Sequence, residues 1–316
     1  MKKTYVAVIA LTLCILLLLT TGCASAPPDE TDTAGTASET AGTEPAKTEA
    51  ATDAPGESST EAETEFVPVL PDLSKPLTAE GIRILTFKCP ENDYTTAQGC
   101  CYDGENWVVA FNKFDQRGEE CTLLCKFDKN GKLIKTSDGP LYLEHANNIT
   151  YTPERAAYFV TSCQGTLSEC WNGYSIVDRD SLTLIEKGTL KKPFFAMGYC
   201  PERDAYASAR WSGETLDFWD GELNHTLTKS VDPPGTLSQG VFAAKDGVWF
   251  VRSSRNGYKQ EFRVYDWEGE LIAAIPLHLK NDAESESVNI INGEFFVTSN
   301  AGRRAYLYRV QFSEAG

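Results

Sequence analysis

The chain has few of the residues on which metal sites and nucleic-acid surfaces depend. It contains three histidines, and its 29 Lys and Arg residues are outnumbered by 45 Asp and Glu residues, for a net charge of −16. An acidic chain without a basic stripe is not expected to bind nucleic acid. No Cys-x-x-Cys spacing occurs, so we predict no zinc site and no cofactor. The usual motifs of serine hydrolases, zinc proteases, P-loops and EF-hands are also missing.

A hydrophobic run long enough to cross a membrane is missing as well. The chain opens with Lys2 and Lys3, and the apolar run from Val6 to Leu19 has 14 residues, whereas a spanning helix needs about 20. A charged start, a short apolar core and small residues after it are typical of an export signal. We therefore predict a signal peptide over residues 1–22.

The signal ends in a distinct motif. Thr20-Thr21-Gly22-Cys23 resembles the lipobox of bacterial lipoproteins, although Thr20 stands where that family usually has Leu. The resemblance implies cleavage after Gly22 and a diacylglyceryl thioether on Cys23, with palmitate among the acyl chains. Two acyl chains anchor a protein stably where one is marginal. The expected location is the outer face of the cell membrane; a plain secretory signal with an incidental cysteine is the alternative.

Residues 23–66 are predicted to be the lipidated cysteine followed by a disordered acidic linker. From residue 24 to residue 66 the chain has 11 acidic residues, one basic residue (Lys47) and no aromatic before Phe66. Such a segment buries too little apolar surface to offset the entropy lost on ordering. We expect a spacer between the membrane and a domain formed by residues 67–316; an acidic partner-binding tail is the alternative.

The domain contains an internal repeat. The sequence YTPERAAY at Tyr151–Tyr158 reappears as YCPERDAY at Tyr199–Tyr206, 48 residues later. Looser copies also place an aromatic residue just after a polar turn, where it opens a strand. The five strand-opening aromatics are Trp107, Tyr158, Tyr206, Trp249 and Phe295.

A second repeat runs in phase with the first. In each copy an apolar strand ends in Asp, a polar turn follows, and the next strand opens with Leu. Asp at a strand end can hydrogen-bond the backbone of its own turn, so we interpret these residues as turn formers and not as catalysts. They are Asp128, Asp178, Asp220 and Asp266.

Two turns per repeat imply three or four strands per repeat, and a period of about 40 to 50 residues is typical of β-propeller blades. The predicted fold is all-β, a five-bladed β-propeller. The last blade lacks an outer strand, and we predict that residues 82–87 supply it by pairing with residues 306–312, since this removes an exposed sheet edge. The architecture resembles secreted bacterial β-propeller lipoproteins over most of residues 80–312. A sixth blade or a β-sandwich are the alternatives.

Eight cysteines lie in the domain. An even number in an exported protein permits disulfides. Cys163 and Cys170 flank a polar turn, so their Cα atoms can approach across a hairpin, and we predict a disulfide between them. Free thiols buried in the core are the alternative.

The innermost strand of each blade should begin just before its aromatic-opened strand, which brings several polar residues toward the axis. One stretch, His145 to Tyr151, resembles a His-x-Asn-Asp-φ-Thr-Tyr pattern at blade starts in bacterial propellers, with Asn148 replacing the usual Asp. The predicted axial ring, either a ligand site or a structural link between blades, consists of Gln98, His145, Asn147, Gln239, Glu286 and Asn289.

The sequence favours a non-catalytic binding or scaffold module. Its expected partners are the membrane, through the lipid anchor, and a small molecule, a glycan or an envelope protein. A carbohydrate-active hydrolase or lyase is the first alternative, and it requires the axial carboxylates Glu144 and Glu286 to face one pocket. The second alternative, a structural part of an envelope complex, predicts an exposed apolar patch on one rim.

Overall fold

The computed structural model describes residues 70–163, 171–231, 235–254, 259–280 and 284–316. Cys23, the predicted signal, the linker and Cys170 lie outside these ranges. The described residues form twenty β-strands and one turn of 3-10 helix, Pro153–Arg155, so the predicted all-β class is confirmed. Within these ranges no helix is long and apolar enough to span a membrane.

The first strand, β1 (Leu77–Lys88), precedes three four-stranded antiparallel sheets. Unit 1 contains β2 (Thr96–Tyr102), β3 (Trp107–Phe114), β4 (Glu120–Phe127) and β5 (Leu133–Thr136). Unit 2 contains β6 (Ile149–Thr152), β7 (Ala157–Ser162), β8 (Gly173–Asp178) and β9 (Leu184–Thr189). Unit 3 contains β10 (Ala196–Cys200), β11 (Ala205–Ala209), β12 (Thr215–Asp220) and β13 (His225–Ser230).

The remaining strands form an eight-stranded sheet with two antiparallel halves. Unit 4 contains β14 (Leu237–Ala244), β15 (Gly247–Ser253), β16 (Gln260–Tyr265) and β17 (Leu271–Leu279). Unit 5 contains β18 (Ser285–Ile291), β19 (Glu294–Asn300), β20 (Arg304–Glu314) and, as its outer strand, β1. Three parallel residue pairs, from Ala79↔Leu277 to Gly81↔Leu279, join β1 to β17 and merge the halves.

The predicted pairing of the two chain ends is confirmed. β1 lies antiparallel to β20 from Leu77↔Glu314 to Lys88↔Arg304, with Ile82 opposite Arg309 and Phe87 opposite Ala305. The N-terminal strand therefore completes the sheet formed by the C-terminal strands.

The five units close on themselves. The first strand of each unit (β2, β6, β10, β14 and β18) contacts the first strand of the next, and β18 contacts β2. Each of five hydrophobic clusters lies between two successive units, and the fifth packs Phe87 and Leu307 of unit 5 against Phe111 and Phe127 of unit 1. The core is thus divided among the interfaces between units.

The four repeated aspartates behave as predicted. Each lies at the end of the third strand of its unit, and its Oδ1 accepts backbone N–H groups of the following turn. Asp128 accepts from Asn130 and Lys132 at 2.9 Å, and Asp266 accepts from Glu268 and Glu270 at 3.0 and 2.7 Å. Asp220 accepts in the same way from Glu222 and Asn224, and Asp178 accepts from Asp180 and Ser181. These contacts confirm the interpretation of the four residues as turn formers.

Candidate functional site

The first strands begin at one end of the closed arrangement, here called the polar end, and finish at the other, the aromatic end. At the aromatic end a cavity of about 800 Å³ is lined by the ends of first strands from all five units. We call it the aromatic cavity. Its size is within the range typical of small-ligand sites.

The aromatic cavity is built from equivalent residues of the repeat. Each unit places one side chain directly opposite its buried strand-opening aromatic; these side chains are Tyr102, Tyr151, Tyr199, Phe242 and Ile290. In the first unit Tyr102 lies opposite Trp107, with ring centroids 5.1 Å apart. The buried aromatics fill the unit interfaces, while the opposite side chains line the cavity.

The phenols of the cavity stay neutral in ordinary buffers. Burial raises the pKa of Tyr102, Tyr151 and Tyr199. The Tyr199 hydroxyl donates to Asp204 Oδ1 at 2.9 Å, and the Arg179 guanidinium lies 5.7 Å from the Tyr151 ring centroid. The rim adds the charged residues Glu202, Lys245 and Asp246. The cavity therefore offers flat apolar faces beside a few hydrogen-bonding groups.

At the polar end, Gln98, Asn147 and Glu286 occupy equivalent places near the starts of their units, each four residues before Tyr102, Tyr151 or Ile290. Gln98 and Glu286 lie in β-bulges of β2 and β18, and Gln239 lies in a bulge of β14. All four are at most 6% exposed. Three of the six predicted ring residues thus occupy equivalent places, and Gln239, three residues before Phe242, is also buried near the start of its unit.

Some polar groups at this end bond to other protein groups, and others do not. Asn147 Nδ2 donates to Cys163 Sγ at 3.0 Å, and Gln239 Nε2 donates to Ser253 Oγ at 3.1 Å and to Glu284 Oε1. Asn147 Oδ1 and Glu286 Oε1 have no hydrogen-bond partner. Burial, with Glu284 nearby, raises the pKa of Glu286 well above its usual range.

Of the other two members of the predicted ring, Asn289 lies at the opposite end of its strand and His145 lies at the margin of the polar end, close enough to Glu284 to lower the pKa of that carboxyl against the effect of burial. Asn289 is near the aromatic end of β18, where it lines the aromatic cavity and bonds β2: its Nδ2 donates to Cys100 O, and its Oδ1 accepts from the Tyr102 N–H, both at 3.2 Å. His145 precedes β6, and its Nδ1 lies 2.7 Å from Glu120 Oε1 at the exposed margin of the polar end. Asn289 therefore links two neighbouring units.

The two axial carboxylates proposed for hydrolysis lie in different surroundings. Glu144 lines a cavity of about 480 Å³ together with Ser162, Tyr174 and Lys187, and Glu286 does not line that cavity. Burial raises the pKa of Glu144, partly offset by Lys187. A pair of carboxylates facing one reacting bond is not formed by Glu144 and Glu286 in this cavity.

Asp103, at the turn after β2, holds units 1 and 2 together. Its carboxylate accepts from the Tyr158 hydroxyl at 2.6 Å and lies 3.2 Å from both Lys126 Nζ and Arg179 Nε. Burial alone raises the pKa of this carboxyl, but hydrogen bonds from Tyr158, Asn106 and Arg179 outweigh it and lower the pKa to about 2. A carboxylate this fully paired is structural.

The seven cysteines among the described residues are buried. No two cysteines in the described part of the chain are joined by a disulfide. Cys170 lies outside the described residues, so its pairing with Cys163 stays a prediction. Among the described residues no group of three His, Cys, Asp or Glu side chains is arranged to hold a metal ion.

Sequence reasoning missed the residue that joins most units. Asn148 Nδ2 donates to Met197 O of unit 3 at 2.7 Å, and its Oδ1 accepts from the Val241 N–H of unit 4 at 3.1 Å. Asn148 departs from the blade-start pattern, and this departure was the only sequence signal of its role. The cavity-lining residues Tyr102, Tyr151 and Tyr199 belong to the repeat in the sequence. The predicted axial ring did not include them, because it was assigned to the starts of the first strands and these tyrosines lie at the ends.

Comparison with known proteins gives similarity in structure only. No protein-family model matches the chain, and no curated protein matches it. A streptogramin B lyase structure superposes with a TM-score of 0.42 at 14% identity, covering 72% of this chain and 68% of that one. Hydrazine synthase of Kuenenia stuttgartiensis gives 0.38 at 13%, covering 74% and 58%, so this chain spans less than two thirds of it. The WD40 repeats of RRP9 give 0.43 at 7%, covering 72% and 97%. At these TM-scores and identities, the similarity supports no conclusion about a substrate or an activity of this chain.

Proposed function

We propose that the domain is a five-bladed β-propeller in which each unit is one blade. Two observations from this chain support it. The first strands form a closed ring of contacts, and a separate hydrophobic cluster fills each of the five interfaces, including that between the last unit and the first. The outer strand β1 closes the last blade, which leaves no unpaired edge between the chain ends.

We further propose that this propeller is a non-catalytic binding module whose ligand occupies the aromatic cavity. The observation that supports this most is the contribution of one equivalent side chain from every unit to a single cavity of about 800 Å³. Partly exposed tyrosines, with Glu202 and Lys245 at the rim, suit a ligand with flat apolar faces and hydroxyl groups. A glycan has this chemistry.

The envelope-complex alternative has less support. It predicts an exposed apolar patch on one rim, whereas the exposed large apolar side chains lie mainly on the outer strands of different units. They include Leu133, Ile134, Leu184, Ile185, Leu271 and Ile272. Spread around the perimeter, they do not form one docking face.

The binding proposal is tested by alanine variants of the cavity. We expect Tyr102→Ala and Phe242→Ala to weaken binding of the best ligand from an array of oligosaccharides at least tenfold, roughly the loss of one aromatic contact. Titration calorimetry measures the affinity. Tyr142→Ala, which removes a 40% exposed tyrosine outside the cavity, should leave the affinity unchanged.

Variants at the polar end should behave in the opposite way, with a loss of stability and no loss of affinity. His145→Ala and Asn147→Ala should lower the melting temperature and leave the affinity for the same oligosaccharide intact, since these residues bond within the protein. Loss of affinity at the polar end with none at the aromatic cavity would move the site to the predicted ring. An array without any binding above background would contradict a glycan ligand.

The location is proposed from the N-terminal sequence. We propose that residues 1–22 direct export and that acylated Cys23 anchors the protein to the outer face of the membrane. Cys23→Ala should release the domain from the membrane fraction or leave the precursor uncleaved, as read by detergent partitioning and by intact mass. Normal maturation with unchanged partitioning of the variant is the result that would contradict lipidation.

A further inference from the structure

Two cysteines from opposite ends of the repeat face each other. Cys89 directly follows β1 in unit 5, and Cys125 lies in β4 of unit 1. Both side chains are completely buried and belong to the same hydrophobic cluster. Their thiols interact directly with one another.

The neighbouring side chains repeat this pairing. Two residues before Cys89, Phe87 packs against Phe127, which lies two residues after Cys125, and the ring centroids are 4.9 Å apart. The two segments therefore run in opposite directions across the interface, and residues 89 and 125 occupy the next facing places. The Cys89 N–H donates to Arg303 O at 3.0 Å, which fixes the end of β1 beside Cys125.

We propose that Cys89 and Cys125 are joined by a disulfide in the exported protein, which covalently links the strand that closes the ring to the first unit. The inference rests on the extracytoplasmic location proposed above, where disulfides form and persist. Bridges between two packed sheets are known from immunoglobulin domains. In the structure both residues are thiols, so the link forms by oxidation.

The oxidant is an external disulfide, from glutathione or from a disulfide oxidoreductase. Both thiols are completely buried in the folded domain, so the exchange takes place during folding, before the interface between units 5 and 1 closes, and it begins when Cys89 loses its proton. Its thiolate attacks one sulfur of the external disulfide and releases the other as a thiolate, which leaves a mixed disulfide on Cys89. Cys125, once deprotonated, attacks the Cys89 sulfur and displaces the second external thiolate. Two protein thiols lose two electrons in total, and one external disulfide becomes two thiols.

The bridge acts where the domain meets its tether. The linker enters the domain through β1, so tension on the lipid anchor reaches β1 first. β1 is held to its neighbours by non-covalent contacts: strand pairing, side-chain packing, a hydrogen bond between the Thr78 and Ser313 hydroxyls, and the Arg83 guanidinium over the Tyr306 ring. A covalent bond at its far end keeps the fifth blade closed even when these pairs are strained. It also closes a loop of 36 residues, which restricts the unfolded chain.

The first test identifies the bond. The full mature lipoprotein is taken from membranes into denaturant and alkylated with iodoacetamide before any reduction, and its peptides are mapped by mass spectrometry. We expect one cross-linked peptide pair holding Cys89 and Cys125, which reduction separates, while Cys121 is alkylated at once. Direct alkylation of both Cys89 and Cys125 in exported protein would overturn the proposal.

The second test separates this inference from the proposed location. The purified full chain is reduced, denatured and refolded with reduced and oxidised glutathione. Formation of the 89–125 bridge supports the inference wherever the protein resides, and refolding with both thiols unbridged, or with each carrying glutathione, overturns it. Membrane fractionation and Cys23→Ala report on the location independently.

A stability comparison completes the design. Reductant should lower the melting temperature of the bridged protein by about 10 °C, from the entropy of a loop this size and the usual response of a domain this large. The same reductant should not shift Cys89→Ala or Cys125→Ala. Cys121→Ala, a buried cysteine on the same strand, should keep the full response. An equal shift in Cys89→Ala would contradict the bridge, and the peptide map of the unmutated chain remains decisive if that variant does not fold.

Discussion

Deleting the chain through Cys89 is expected to unfold the domain, whereas deleting it only as far as Pro76 leaves the domain folded. The longer deletion removes β1, which pairs along β20 from residue 77 to residue 88 and joins β17 by three further pairs. It also removes Phe87, a wholly buried side chain at the unit 5–unit 1 interface. Truncating one buried Phe costs about 3 to 5 kcal/mol, and a whole domain is stable by only about 5 to 15 kcal/mol.

Thermal unfolding followed by circular dichroism distinguishes the two deletions. The shorter one loses Leu73, which packs partly buried against the unit 4–unit 5 cluster, and the Lys75–Glu314 ion pair between exposed side chains. Exposed ion pairs contribute little, so its melting temperature should fall by only a few degrees. The longer one should show no cooperative transition. Equal melting temperatures for the two proteins would show that the ring closes without β1.

The closure by β1 was predictable because its signals are local. Residues 82–87 have the composition of a strand, and the last repeat stops one strand short of the others. The turn aspartates were predictable for the same reason, since Asp128 bonds N–H groups two and four residues ahead. The repeated aromatics indicated where the second strand of each unit begins. Trp107 is the first residue of β3, and Phe295 is the second residue of β19.

The links between units were not predictable, because they join residues far apart in sequence. Asn289 bonds the backbone of Cys100, 189 residues away, and periodicity alone does not show which side chain reaches across. The bulges at Gln98, Gln239 and Glu286 also escaped prediction. A bulge turns a side chain away from strict alternation, so the direction of these three side chains does not follow from the sequence. All three lie near the starts of their strands, whereas Asn289 lies near the other end of β18, so grouping Asn289 with them placed it at the wrong end of its strand.

Asn148→Asp is the most informative substitution at these links, because it changes one donor into an acceptor with little change in shape. Asn148 Nδ2 donates to Met197 O, and Asn148 Oδ1 accepts from the Val241 N–H. A carboxylate keeps the second contact and loses the first, and it then faces the Met197 carbonyl oxygen. The side chain is 2% exposed, so water cannot compensate.

We expect Asn148→Asp to lower the free energy of unfolding by about 3 kcal/mol at pH 8, the order of cost for a buried charge or donor left unpaired. The melting temperature should fall by about 6 to 12 °C. Burial raises the pKa of a new carboxyl, and its protonated form donates to Met197 O again, so the loss should shrink as the pH falls toward 5. Denaturant titrations at both pH values measure this difference.

Two further variants determine how that loss is interpreted. Asn130→Asp, in an exposed turn of unit 1, introduces the same charge where water solvates it, and it should change the free energy of unfolding by less than about 0.5 kcal/mol. Asn148→Ala removes both contacts, leaves the Met197 carbonyl and the Val241 N–H unpaired, and should be costly at every pH. If Asn148→Asp were as stable as the unmutated chain at pH 8, Asn148 would not join units 2, 3 and 4, and the Asp of the blade-start pattern would serve equally well here. The expected pH dependence would instead show that the interface needs a hydrogen-bond donor at residue 148, which the Asn148 side-chain amide supplies.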